Sequence, residues 1–399
     1  MIRALETLSK IRSRFETIDP WIVFLACRMI SLIFYQLGIG DDRAYFSAIK
    51  LSHDTGSPYG PSGFAYPPLA YLFVKLPSFF SGPDRIFYFK LYRAQCLILD
   101  ALAFYLLSRR VKRPALYAWI LLTSLLGSLL YNRFDSVVSL LLLATILQSE
   151  NKKYASAGAL FGISIALKII PVVLLPAWLV WLSRTSIRNA LTALGSMTGV
   201  LIAAVALGYL WLGTGSVEFL LGHLHRGTQI ESTWASIQIL VSQWRDIGLR
   251  IYWDAGSDNV QTTLAPILIT LSSVLLVLAV VGVTIMGWRM GKRADKLAFV
   301  FACGITVCVF VSKVASPQYL ILLATPIAVA FDDMSPSVRR AFLGVTLMVF
   351  ALTSWVYPHY YEQLIDLRPI ALIPSVLRNL FLGMLSVMFL AEGFPRART

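Results

Sequence analysis

Tyr66-Pro67-Pro68-Leu69-Ala70-Tyr71-Leu72-Phe73-Val74-Lys75-Leu76-Pro77-Ser78-Phe79-Phe80 decides how this chain threads. The stretch is apolar enough to enter a bilayer, yet three prolines punctuate it. A spanning helix needs about 20 mostly apolar residues. Proline is preorganised for a first helical turn but breaks the hydrogen-bond ladder further in. If 66–80 crossed fully, Arg109-Arg110-Val111-Lys112-Arg113 would land outside. Treating 66–80 as re-entrant or interfacial puts that cluster inside, where positive loops belong. Ala155 to Trp181 poses the reverse problem. Its flanks, Lys152-Lys153 and Arg184/Arg188, both read as cytoplasmic, so it crosses twice and turns near Lys168 and Pro171.

With both choices made, twelve apolar segments emerge: 21–39, 86–108, 114–131, 134–148, 155–170, 171–183, 189–212, 263–288, 297–312, 317–331, 338–356 and 370–391. Several are short, which is tolerated where a helix lines a protein-walled cavity. Twenty of the 35 Lys and Arg fall in alternate loops or at the termini. Both termini are therefore expected in the cytoplasm, in a plasma (inner) membrane protein with about twelve transmembrane helices. The expected fold is all-α and polytopic, a single integral-membrane domain over 1–399. Two loops face outward. Residues 40–85 form the first, and 213–262 form the second, with short interfacial helices expected near Val217–Leu224 and Trp234–Ile251.

Composition agrees. The 399 residues are 57% hydrophobic and 14% charged, against about 25% charged in soluble domains. The net charge of +14 follows from cytoplasmic loops. It points to no nucleic acid, since no basic helix or aromatic platform sits in a soluble module. Cys27, Cys96, Cys303 and Cys308 lie in apolar runs and read as packing residues. The polar stretch Met1–Asp19 has no small-residue cleavage site, so Trp21–Ile39 reads as a retained helix.

The outward loops carry the chemistry. Asp41 and Asp42 follow the first helix directly. A partly desolvated carboxylate there suits a general base. The plainer alternative is a solvated helix-end pair, or a cap for a helix starting near Arg43. Arg133, Asp135 and Lys168 are ionisable groups at segment ends, where they face a cavity or a partner. Lys168 suits either an acid or a phosphate. Arg28 and Asp100, nearer mid-depth, read as an interhelical pair. In His223-Leu224-His225-Arg226, the two histidines do not share a helix face, so zinc is poorly supported. Arg226 offers a planar fork for phosphate. Glu231 suits either that arginine or sugar hydroxyls. Lys313 and Gln318 flank Ser316-Pro317. Lys168, Arg226 and Lys313 put three cations beside the carboxylates, as an anionic lipid headgroup attacked near a base requires.

The order Asp41-x-x-x-Tyr45, Ser57-Pro58-Tyr59, Phe64-x-Tyr66-Pro67-Pro68 resembles the first external loop of polyprenyl-phosphate-sugar-dependent glycosyltransferases of the GT-C fold. The similarity is to the PimE-type mannosyltransferase group, glycosyltransferase family eighty-seven. Arg133-Phe134-Asp135, Ala157-Gly158 through Gly162, Lys168-Ile169-Ile170-Pro171, Arg226-Gly227-Thr228-Gln229-Ile230-Glu231-Ser232 and Ser316-Pro317-Gln318-Tyr319 are similar to the same group. The resemblance covers about 40–325. It implies an inverting transfer of a sugar, with mannose as the family's expectation. The donor is a polyprenyl-phosphate sugar, and the acceptor a glycolipid or lipid-linked glycan on the extracytoplasmic side. It implies a base at Asp41 or Asp42, and donor phosphate held by Lys168, Arg226, Lys313 and Arg133. Sugar or acceptor contacts fall to Asp135, Gln229, Glu231, Tyr66, His223, Gln318 and His359. No cofactor or divalent metal is expected. The competing class is a lipid-linked sugar flippase, which would line a path with the same charges without catalysis. No internal repeat of the kind common in transporters is visible.

Overall fold

The computed structural model describes residues 18–34, 40–60, 64–217, 226–254 and 256–394. It is mostly helical. Helices run Pro20–Phe34 (α1), Asp41–Thr55 (α2), Pro68–Lys75 (α3), Ser78–Ser81 (α4), Arg85–Ser108 (α5), Arg113–Leu126 (α6), Leu129–Asn132 (α7) and Asp135–Glu150 (α8). Then come Tyr154–Leu167 (α9), a 3-10 turn at Ile170–Leu174, Leu175–Ser183 (α10), Ile187–Leu212 (α11) and Thr233–Ser242 (α12). The last are Ala265–Met290 (α13), Leu297–Val311 (α14), Tyr319–Asp332 (α15), Pro336–Ser354 (α16), Tyr361–Ile365 (α17) and Pro369–Gly393 (α18).

Five helices among the described residues are long and apolar enough to cross a membrane: α5, α11, α13, α18, and α16 with its continuation to His359. The shorter apolar helices pack among them. Helices α14 and α15 are buried along almost their whole length. The flanks of α11 and α13 instead expose Ile202, Leu210, Ile267 and Val277. Large apolar side chains turned outward over such lengths are what a lipid environment accepts.

Two helices meet unusually closely. A Cβ added at Gly158 would stand 2.1 Å from the Ala193 carbonyl oxygen, and one at Gly162 would stand 2.9 Å from that of Met197. The Gly158-x-x-x-Gly162 face of α9 thus lets the α11 backbone approach, as small residues do where membrane helices pack. Gly158→Val is expected to destabilise the protein by about 1–3 kcal/mol or more through overpacking. The check is a melting curve in detergent, where an unchanged midpoint would contradict the contact.

The basic loops collect at one end of the bundle. Arg110 binds Glu150 at 2.8 Å and reaches Asp333 at 3.7 Å. Lys296 donates to the Asp333 carbonyl at 3.4 Å. Arg184 lies over Trp288 at 4.0 Å, and Arg289 over Phe394 at 5.1 Å. Between the ends, Arg28 and Asp100 form the expected buried pair at 2.6 Å, completed by Thr123 and Ser124. A buried charge pair of this kind is tolerated only when its remaining donors are satisfied.

Three expectations need correction. The fold is not wholly α: Thr228–Gln229 (β1), Arg250–Asp254 (β2) and Ser257–Gln261 (β3) form an antiparallel sheet in the order β1-β3-β2. The interfacial helix expected over Trp234–Ile251 therefore stops at Ser242. Downstream lie a β-branched and aromatic run, Ile251-Tyr252-Trp253, and a hairpin pairing Asp254 with Ser257, with Gly256 at φ 76°. Glycine at a two-residue hairpin tip is a strong strand signal that helix periodicity obscured. The segment drawn over 114–131 also breaks: Gly127 takes φ 53° and ends α6 at Leu126. The helix that the plainer alternative placed near Arg43 is present and starts at Asp41, with Gly40 in the N-cap position and both carboxylates in the first turn. The expected helix near Val217–Leu224 lies mostly outside the described residues.

The stretch 66–80 becomes two short helices. The eight residues of α3 rise about 12 Å, well short of a crossing. Pro67 and Pro68 open α3, and Pro68 packs where a Cβ on Gly208 would be 2.6 Å away.

Candidate functional site

The end opposite the basic loops gathers most of the polar residues singled out in the sequence. Asp41, in the first turn of α2, forms an ion pair with Arg133. Its Oδ2 also lies 3.4 Å from the Tyr45 and Tyr66 hydroxyls. The i, i+4 spacing of Asp41 and Tyr45 on one helix face produces the first of these contacts. Arg133 donates onward to the Tyr357 hydroxyl at 3.0 Å. That tyrosine was not foreseen, although His359, two residues on, was singled out.

Lys168 follows α9, where the backbone turns extended (φ −154°) and frees the side chain from the helix. Its ammonium binds Asp135 at 2.6 Å, at the start of α8. The rings of Phe134, Tyr319 and Tyr66 lie 5.3, 5.3 and 5.6 Å from it. An aromatic cage of this kind holds a cation where water cannot. Arg133 and Arg226 both lie within electrostatic reach of Lys168. Tyr66 lies beside Gln318 and packs edge-on against Phe134 at 4.9 Å.

The second loop closes the site. Arg226 donates to Ser257 at 2.9 Å, not to Glu231 as one sequence alternative had it. Glu231 instead accepts from the Gln229 amide at 3.0 Å. Lys313 accepts the Gln229 backbone N–H at 3.0 Å through its carbonyl. Burial, together with Arg226, pushes the Lys313 ammonium below its usual range. The three expected cations are therefore neighbours in space.

Glu231 is buried, and burial pushes its carboxyl up to about 7. Arg378, Arg133 and the Gln229 hydrogen bond pull the other way, while Asp258 adds to the rise. Asp258 itself accepts from the Tyr361 hydroxyl at 3.0 Å, and burial holds its carboxyl above the usual range. A small apolar cluster of Ile230, Ala235, Ile239, Val260, Val356, Leu364 and Ala371 ties this loop to the segment after α16.

Around this centre, several buried polar atoms have no hydrogen-bond partner among the described residues: Asp135 Oδ2, Gln229 Oε1, Glu231 Oε1, Gln318 Oε1, Thr228 Oγ1, Asn259 Oδ1 and the Nε atoms of Arg133 and Arg226. Each such group costs about 1–3 kcal/mol if left unmet. Grouped acceptors beside cations suit a ligand that is both hydroxylated and anionic. Among the described residues, no three His, Cys, Asp or Glu are arranged to hold a metal ion.

Three candidates lie apart. Asp42 is 2% exposed and turns away, within electrostatic reach of Arg93 and Tyr88. His359 is exposed at the end of the turn that carries Tyr357. His223 lies outside the described residues. The sequence reading also missed Arg378 and Asp258. Arg378 left a usable signal, because an arginine within an apolar helix is a functional candidate by default.

A bundle of apolar helices with cations and unpaired oxygen acceptors gathered at one end has the chemistry to meet an anionic, hydroxylated ligand. Residues 64–317 match the model of glycosyltransferase family 87, and the chain belongs to that family. It is a glycosyltransferase. The match includes Tyr66, Arg133, Asp135, Lys168, Arg226, Gln229, Glu231 and Lys313, and begins after Asp41 and Asp42. No curated protein matches the chain.

Proposed function

We propose that the chain is an inverting glycosyltransferase of about twelve crossings in one membrane domain, with both termini cytoplasmic and its pocket on the extracytoplasmic side of the plasma membrane. It moves a sugar, mannose in the first instance, from a polyprenyl-phosphate donor to a glycolipid or lipid-linked glycan. The observation that carries this reading is the interleaving of buried cations and unpartnered oxygen acceptors around Asp41 at one end of the bundle. The gathering of basic loops at the other end supports the orientation.

Asp41 takes the proton of an acceptor hydroxyl. The resulting oxygen attacks the anomeric carbon as the bond to the lipid phosphate breaks, and the configuration inverts. Polyprenyl phosphate leaves with its negative charge. Lys168, Arg226, Lys313 and Arg133 stabilise that charge, so no proton donor to the leaving group is required. Arg133 is shared between roles. A phosphate drawn to its guanidinium competes with Asp41, and a carboxylate relieved of its cation becomes the stronger base. Gln229, Glu231, Asp135 and Gln318 hold hydroxyls, and Tyr66 walls the donor side. The reaction as written needs no metal.

The direct test incubates the purified chain in detergent with polyprenyl-phosphate mannose and a panel of glycolipid acceptors, following release of polyprenyl phosphate. Release that depends on acceptor supports transfer. Donor binding without release, coupled to movement of the lipid across a vesicle membrane, would favour the flippase. Neither binding nor release with any polyprenyl-phosphate sugar would overturn the donor class.

Glu231 makes a pH signature. If its ionised form accepts a sugar hydroxyl, activity rises with pH through about 7. Glu231→Gln is expected to remove that acid limb. The sign for stability is opposite. A carboxyl raised in the folded state contributes most below its unfolded pKa, and that contribution is lost as pH rises through about 7. The melting temperature of Glu231→Gln should therefore fall less than wild type between mildly acidic and neutral pH. A wild-type limb retained in the variant would assign the limb elsewhere.

A further inference from the structure

We propose that Arg378 and Asn379, adjacent residues on the membrane helix α18, are positioning residues for the transfer: they hold the Gln229–Ser232 turn so that Glu231 presents its unbonded carboxyl oxygen to a substrate hydroxyl. The proposal rests on the reading of Glu231 as a hydroxyl-binding group.

Arginine within an apolar helix is expensive and persists only with a task. Arg378 is 4% exposed. Its guanidinium donates to the Glu231 backbone carbonyl, and twice to Asn379 Oδ1 at 3.2 and 3.0 Å. Asn379 donates to the same carbonyl at 3.3 Å and to Ser236 at 2.9 Å. Consecutive residues on a helix point about 100° apart. Two of them meeting on one carbonyl is a specific arrangement rather than a generic packing contact.

The turn is fastened on either side as well. The Gln229 N–H binds the Lys313 carbonyl at 3.0 Å, and Ser232 caps α12 by accepting from the Ala235 N–H at 3.1 Å. Arg378 and Asn379 pin the point between, directly under Glu231. A neutral donor would suffice to hold a carbonyl. The guanidinium adds a positive charge that favours the ionised form of Glu231. The other groups that act on Glu231 are Arg133, the Gln229 amide, Asp258 and Tyr361. Among the described residues, α18 contributes the cation that approaches from the membrane side.

Charge and geometry can be separated. Arg378→Gln, Arg378→Lys, Asn379→Ser and Glu231→Gln are purified in detergent. Each is studied by pH-dependent infrared spectroscopy of the buried carboxyl band, and by kinetics with polyprenyl-phosphate mannose. The wild-type band should titrate near neutrality and vanish in Glu231→Gln. Arg378→Gln should move that titration upward and lower kcat/KM about a hundredfold, the effect of a misplaced group. Arg378→Lys should restore the titration while kcat stays low, and Asn379→Ser should lower kcat without moving the titration. An unmoved titration in Arg378→Gln would overturn the electrostatic part. Wild-type kcat in both Arg378→Lys and Asn379→Ser would overturn the positioning part, even if Arg378→Gln fails to fold. An inactive wild type would count against the transferase reading instead, and the infrared titration would still decide the role of Arg378.

Discussion

Asp41→Asn is expected to lower the rate of sugar transfer by about a hundredfold to ten-thousandfold, the range spanned by a positioned general base. Binding of polyprenyl phosphate should survive, because the cations proposed to meet the phosphate are untouched. The side chain is 22% exposed, so its loss should shift melting little. Asp42→Asn is expected to behave oppositely. Asp42 is buried, close to Arg93 and Tyr88, so its replacement should lower the melting temperature while each folded molecule still turns over. The measurement is kcat per folded enzyme for both variants, with phosphate-lipid affinity alongside. Activity retained in Asp41→Asn and lost in Asp42→Asn would move the base by one residue, to the buried side chain near Arg93. Full activity in both would remove the first loop from the chemistry.

Lys168→Met is expected to lose both stability and donor binding. Asp135 has a side chain 1% exposed, bonded through Oδ1 to Lys168 at 2.6 Å, and its Oδ2 has no partner among the described residues. Removing the lysine strands a buried carboxylate, which costs about 3–5 kcal/mol. Lys168→Met with Asp135→Leu removes the charge on both sides. A buried pair replaced by apolar residues is often neutral or stabilising, so the double variant should recover most of the lost stability. It should not recover donor binding, because the cation meant for phosphate is still missing. Unfolding curves and polyprenyl-phosphate affinity across the single and double variants separate the two roles. Donor affinity that returned together with stability would make Lys168 a structural residue only.

Much of the architecture was legible in the chain because lipid imposes a simple rule. Most of each apolar stretch drawn from sequence falls on helix, with breaks such as Gly127–Ser128 and Lys168–Ile169 inside the drawn bounds and 35–39 outside the described residues. Long apolar runs must satisfy their backbone internally, so they are helical whatever their neighbours. The family was legible too, from short motifs in a fixed order. The second loop was not. In Arg250-Ile251-Tyr252-Trp253-Asp254, strand and helix patterns compete over five residues, and pairing with β3, which itself pairs with β1, settles the contest. Propensity alone is a weak guide where tertiary contacts decide.

By itself, the sequence determined a membrane-embedded, mostly helical member of glycosyltransferase family 87, and which loops carry its charges. Hydropathy and charge are local properties, summed along the chain, and need no fold to be read. Tertiary structure alone decided that Asp41 faces Arg133 while Asp42, one residue on, faces Arg93. The 100° step between helix neighbours sends adjacent carboxylates to different surroundings. Tertiary structure alone also brought Arg378 to the Glu231 carbonyl across 147 residues of chain. No pattern within a segment records a contact whose two halves are joined only by packing.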